Sequence, residues 1–227
     1  MLRRVYQFGG IRMPKTVPAA SGSRRLRHLA AAAALAAALI APASAHFVLE
    51  TPAASLAQNA IGDPQKLGPC GGTLQDAGTP TGAVTELAGG STLHLKLREA
   101  VYHPGHYRVA LARTPAQLPD DPATVTREGP NGPLSVSAAI DVDPAPPVLA
   151  DGLFPHTERP APGTFWETDL RVPNVDCENC VVQVIQWMAE HGYNPDGAYS
   201  YHHCATVSIT RDPDLATDEA WGAFLRS

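Results

Sequence analysis

The sequence is poor in charge and poor in aromatic rings: only 17% of its 227 residues are charged and 6% are aromatic. Beyond residue 45 it has no long apolar run, no charge block, no heptad pattern and no internal repeat at solenoid periods. These absences exclude a polytopic membrane protein, a coiled coil and a repeat array. Acidic residues are missing altogether from residues 1–45, which hold seven of the 17 basic ones (Arg3, Arg4, Arg12, Lys15, Arg24, Arg25, Arg27). Residues 46–227 therefore carry 10 basic and 22 acidic side chains, a net of −12 against −5 for the whole chain. A surface that acidic does not track a phosphate backbone, so nucleic acid is not an expected partner.

What is abundant is proline (22) and glycine (19), within a chain that is 44% hydrophobic with a mean hydropathy of −0.12. That is a globular composition, and its prolines and glycines favour short strands joined by turns over a helical bundle. Apolar alternation predicts strands at Ser91–Leu97, Tyr107–Ala112, Leu134–Ile140, Cys180–Trp187 and Ala205–Ile209. Between them, Arg113–Pro133 and Asp141–Pro162 read as long loops, and a helix is expected only near Asp218–Phe224. The expected fold is all-β, an immunoglobulin- or fibronectin-like antiparallel sandwich with long loops.

Residues 24–45 have the form of a secretory signal. A basic cluster (Arg24, Arg25, Arg27) precedes an apolar run, Leu29–Ile40, followed by Pro42 and Ala43-Ser44-Ala45. The run is shorter than the roughly 17–25 residues that span a bilayer. Cleavage after Ala45 is expected, leaving a single secreted or periplasmic domain over 46–227, monomeric and free of the membrane. Met13 is a second candidate start, and Ser23-Arg24-Arg25 leaves both general and twin-arginine export open. Cleavage there makes His46 the first residue. An N-terminal histidine offers a metal its α-amine and its imidazole Nδ1 in one chelate ring, and such nitrogen donors suit Cu(II).

Four cysteines follow the leader: Cys70, Cys177, Cys180 and Cys204. An even count in an exported chain favours disulfides. Of the three pairings, Cys177–Cys180 with Cys70–Cys204 is expected, the longer bridge tying the N-terminal region to the last strand. The competing reading of Cys177-Glu178-Asn179-Cys180 is a redox or zinc pair. It lacks the helix a redox pair wants and a second zinc pair.

Among the histidines, His94 is expected on an exposed strand position, and His156 and His191 in surface loops. The segment Tyr102-His103-Pro104-Gly105-His106-Tyr107 is different, because Gly105 permits a close turn that aims His103 from a rigid strand entry. His202 and His203 are strand neighbours facing opposite ways, so both cannot serve one metal.

Several motifs together resemble the lytic polysaccharide monooxygenases, nearest to the animal forms and a bacterial monooxygenase-like group. They are His46, His103-Pro104-Gly105-His106-Tyr107, Cys70-Gly71-Gly72, Cys177-x-x-Cys180-Val181-Val182-Gln183 and Tyr201-x-x-Cys204-Ala205, scattered over most of residues 46–210. The resemblance implies one mononuclear copper held by His46 and His103 in a histidine brace, with Tyr201 as the axial neighbour. It also implies an external reductant and oxidation of glycosidic C–H bonds in polysaccharide of the chitin or cellulose class. The alternative is a copper-binding or copper-transport protein with the same brace and no polysaccharide chemistry. Where many fungal members carry Gln two residues before the axial Tyr, this chain has Tyr199. Gln183 and Gln186 are then the candidates for the hydrogen-bond donor beside the metal, and Trp166, Tyr193 and Tyr199 for a polysaccharide-gripping surface.

Overall fold

A computed structural model describes residues 45–192 and 199–227. Residues 1–44, which hold most of the expected leader, and Tyr193 lie outside the described residues. The described chain is all-β. Eleven strands run in the order β1 (His46–Thr51), β2 (Val84–Ala88), β3 (Thr92–Val101), β4 (Gly105–Ala112), β5 (Thr124–Gly129), β6 (Gly132–Ala138), β7 (Val148–His156), β8 (Trp166–Arg171), β9 (Cys177–Met188), β10 (His191–Gly192) and β11 (Ser200–Thr210). One α-helix, α1 (Glu219–Arg226), follows, and a one-turn 3-10 helix lies at Pro115–Gln117. No helix among the described residues is long and apolar enough to cross a membrane.

Two principal sheets form the sandwich. One has the order β1-β3-β8 and the other β2-β11-β9-β4-β7, with a small β10-β6-β5 sheet beside them. Pairing is antiparallel throughout except between β2 and β11, which run parallel. The core follows from period-two alternation. Leu93, Leu95 and Leu97 of β3 point one way and are buried, while His94 on the other face meets Asp169 at 2.9 Å and Glu167 at 3.3 Å in the open. Facing the leucines are Tyr107, Val109 and Leu111 of β4, Val182 and Val184 of β9, and Val207 and Ile209 of β11. Phe47 of β1 stacks edge-on against Tyr107 with centroids 5.3 Å apart, locking the two sheets together at one end.

Two of the expected loops contain strands. β5 lies inside Arg113–Pro133 and β7 inside Asp141–Pro162. The prolines and glycines there flank or interrupt short pairings: β7 carries Gly152 at φ +63° and its register with β4 shifts repeatedly. A bulged edge strand of this kind has no clean alternation to read. The helix lies where expected. Both disulfides form as expected, Cys70–Cys204 and Cys177–Cys180, and no cysteine is free among the described residues. The Cys177-x-x-Cys180 pair is therefore a bridge at the entry of β9. Stable disulfides belong to oxidising compartments.

Candidate metal centre

His46 and His103 come to the same end of the sandwich through the β1–β3 pairing. His46 lies opposite Val101 in register, and His103 follows two residues beyond Val101 in the short connection into β4. That connection is tight because Gly105 passes directly over β9: a Cβ there would sit 1.8 Å from the Trp187 carbonyl oxygen, so only glycine fits.

Each imidazole has one nitrogen tethered and one left bare. His46 Nε2 lies 3.2 Å from the Asp63 carboxylate, and its Nδ1 is buried with no hydrogen-bond partner. The His103 Nδ1 lies 3.1 Å from the Pro104 carbonyl, an acceptor, which requires the proton on Nδ1 and leaves Nε2 as the lone-pair nitrogen. Burial lowers the His103 pKa below the ordinary imidazole range, outweighing the Pro104 hydrogen bond, so the ring is held neutral. A neutral imidazole fixed through one nitrogen, with the other exposed as a lone pair, is the form a metal takes up.

The loop from Asn59 to Gln65 holds β1 in place. The buried Gln65 accepts the Phe47 N–H at 3.1 Å and donates to the Ile61 carbonyl at 3.0 Å. Gly62, at φ +95°, presses so closely on the Phe47 carbonyl that a Cβ would sit 1.9 Å from its oxygen. Asp63 lies between these two contacts and reaches His46.

Tyr201 lies against His46 with ring centroids 4.9 Å apart and is 5% exposed. The Lys66 ammonium sits over the Tyr201 ring, 4.5 Å from its centroid. Register places Gln186 of β9 between Tyr201 of β11 and Tyr107 of β4, all three on the core-facing side. The Gln186 amide donates to Glu99 Oε1 at 2.7 Å, while its own Oε1 is buried without a partner. Gln183, three residues earlier, faces the opposite side of the sheet. There it donates to the Pro69 carbonyl at 2.8 Å and takes a hydrogen bond from Arg108. Of the two glutamines, Gln186 is therefore the one brought beside Tyr201. His106 likewise lies on the outer face against Trp187, away from the inward Tyr107, which leaves His103 as the histidine of this turn at the site.

Glu99 and His156 also pack against the His103 turn, and the sequence pattern did not single them out. The Glu99 side chain is 1% exposed, and its Oε1 accepts from the His103 N–H at 3.1 Å, from Gln186 and from His156 at 3.3 Å. The expectation of His156 as a surface histidine is corrected: it ends β7 with its side chain 5% exposed. Its Nδ1 faces the Phe154 carbonyl at 2.8 Å and its Nε2 faces the His103 carbonyl at 2.9 Å, so both nitrogens face acceptors and both need protons. Burial disfavours the charge, but the Glu99 carboxylate and the two carbonyls outweigh it, and the His156 pKa is raised. The result is a buried ion pair directly behind the His103 turn. Glu99 was visible in one respect: it continues the inward series Leu93, Leu95, Leu97, and a carboxylate on a core face needs partners.

His191, also expected on the surface, is partly buried in β10 and stacks on His103 with centroids 5.8 Å apart. His202 and His203 do face opposite ways. His202 reaches out to Asp121 at 2.8 Å, and His203 points in to the Phe47 carbonyl at 3.1 Å. Trp166 packs between Phe154 and His156, and Tyr199 is 2% exposed against Trp187. Neither presents a flat external face. Among the described residues no group of three or more His, Cys, Asp or Glu side chains converges as a metal cluster. Compared with models of known protein families and with curated proteins, the chain matches none.

Proposed function

We propose that residues 46–227 form an exported copper protein of the histidine-brace type that oxidises glycosidic C–H bonds in polysaccharide. The observation that carries this reading is the complementary tethering of the two histidines: Asp63 on His46 Nε2 and the Pro104 carbonyl on His103 Nδ1. With cleavage after Ala45, the α-amine and Nδ1 of His46 and Nε2 of His103 would hold the metal. This donor set suits copper. Bound copper, reduced by an external donor, would supply O2- or H2O2-dependent oxidation.

The chain's own groups have definable tasks. The Glu99–His156 pair fixes the backbone of the His103 turn, since Glu99 takes its N–H and His156 its carbonyl. The Tyr201 ring covers one side of His46 and shields it from water. Gln186 is anchored to Glu99 through one amide N–H, and its carbonyl oxygen stays buried without a partner. One observation favours the alternative of a copper carrier without polysaccharide chemistry: Trp166 and Tyr199 are packed inward and offer no gripping surface.

The deciding experiment is mass spectrometry of products after the copper-loaded protein, starting at His46, is incubated with chitin or cellulose and ascorbate. Oxidised oligosaccharides, absent with His103→Ala and retained with His94→Ala, support the monooxygenase. Tight copper binding with neither oxidised product nor peroxide supports the carrier.

A further inference from the structure

At the opposite end of the five-stranded sheet lies a cavity of about 400 Å³, lined by Arg113, Arg211, Arg226, Asp176, Val175 and Leu225 among others. Its position follows from topology. Arg113 comes directly after β4, Asp176 directly before β9 and Arg211 directly after β11, while Arg226 ends α1. The candidate metal centre lies at the other ends of these same strands, roughly 25 Å away at about 3.4 Å per residue.

Charge makes this cavity unusual for the molecule. From residue 46 onward the chain has 10 basic side chains against 22 acidic ones. Lys96, Arg98, Arg127 and Arg171 are paired with Glu167, Glu50, Glu190 and Asp218. Arg108 is buried on the Pro119 and Asp120 carbonyls. Arg113, Arg211 and Arg226 converge on one concavity and make no ion pair among the described residues. The one carboxylate lining it, Asp176, accepts the backbone N–H of Arg211 at 2.9 Å. Three guanidiniums in one cavity repel one another, and their planar forks match the paired oxygens of a tetrahedral oxyanion. The volume exceeds that of a single such ion, and Val175 and Leu225 give one wall an apolar character.

We propose that this cavity is an oxyanion site that takes a phosphate or sulfate group, carried on a small monoester whose organic part lies along the Val175 and Leu225 side. The site is independent of the metal. Calorimetry on the metal-free full chain, in chloride buffer at constant ionic strength, tests it with inorganic phosphate, inorganic sulfate and phenyl phosphate as titrants. Saturable one-site binding is expected, tighter for phenyl phosphate than for the inorganic ions. Arg211→Gln and Arg226→Gln should each weaken it about tenfold, and the double variant should abolish it. Arg159→Gln, remote from the cavity, should leave it unchanged. Equal affinity for inorganic phosphate and its ester would keep the oxyanion site and remove the ester. No saturable heat with any titrant, or binding undiminished in a double variant whose melting curve matches the parent, overturns the proposal.

Discussion

His46 has two ring nitrogens, of which Nε2 meets Asp63 and Nδ1 meets nothing. Asp63 therefore acts as a positioning residue, holding the proton on Nε2 and the lone pair on Nδ1. Long-range proton–nitrogen NMR on metal-free protein starting at His46 should report the Nε2–H tautomer. Asp63→Ala should mix the tautomers and weaken copper binding about 10–100-fold, whereas Asp63→Asn, whose Oδ1 still accepts, should restore both. An unchanged tautomer in Asp63→Ala contradicts the role. His203 makes a separate prediction. It is 1% exposed, stacked edge-on to Phe47, and burial lowers its pKa to about 4. The unfolded value is near 6.5. Between those values the unfolded chain binds a proton that the native state refuses, so stability falls as pH drops through that window. The loss from this group is about 3 kcal/mol, and it is fully absent above the unfolded pKa. Urea unfolding across the window should show a shallower pH dependence for His203→Gln than for the parent. Parallel curves would contradict the assignment.

At the scale of elements, the two disulfides should differ in worth. Cys70–Cys204 closes 134 residues and ties the loop that follows β1 to β11, whereas Cys177–Cys180 spans only three. Loop entropy grows with the logarithm of the closed length, so the paired serine variant of the long bridge should lose about 3–5 kcal/mol. The short one should lose clearly less, read from urea midpoints, and equal losses would contradict the entropic account. The strands that alternation revealed are those with one clean face: Leu93, Leu95 and Leu97 of β3, or Val182 and Val184 of β9. β1 escaped notice because Phe47-Val48-Leu49 is a continuous apolar run without period-two alternation. β5 and β7 were hidden by the prolines and glycines around them. His46 and His103 were singled out through leader and turn chemistry, and both lie at the same end of the sandwich. Asp63 and His156 were not singled out, because a loop carboxylate and a strand-end histidine become partners only through long-range register, which no local pattern encodes.

For the molecule as a whole, the sheets divide the chemistry between two ends, nitrogen donors at one and guanidiniums at the other, with an apolar core between them. On the proposed reading the chain becomes a copper chelator only when His46 is its first residue. Copper(II) titration followed by calorimetry and electron paramagnetic resonance compares protein starting at His46 with the same protein starting at Ala45. The extra alanine turns the His46 nitrogen into an amide while leaving β1, Asp63 and His103 as they are. Tight one-to-one binding with nitrogen couplings is expected for the His46 form, and a loss of several orders of magnitude for the Ala45 form. Equal affinity in the two, or no tight binding in the His46 form, would contradict it.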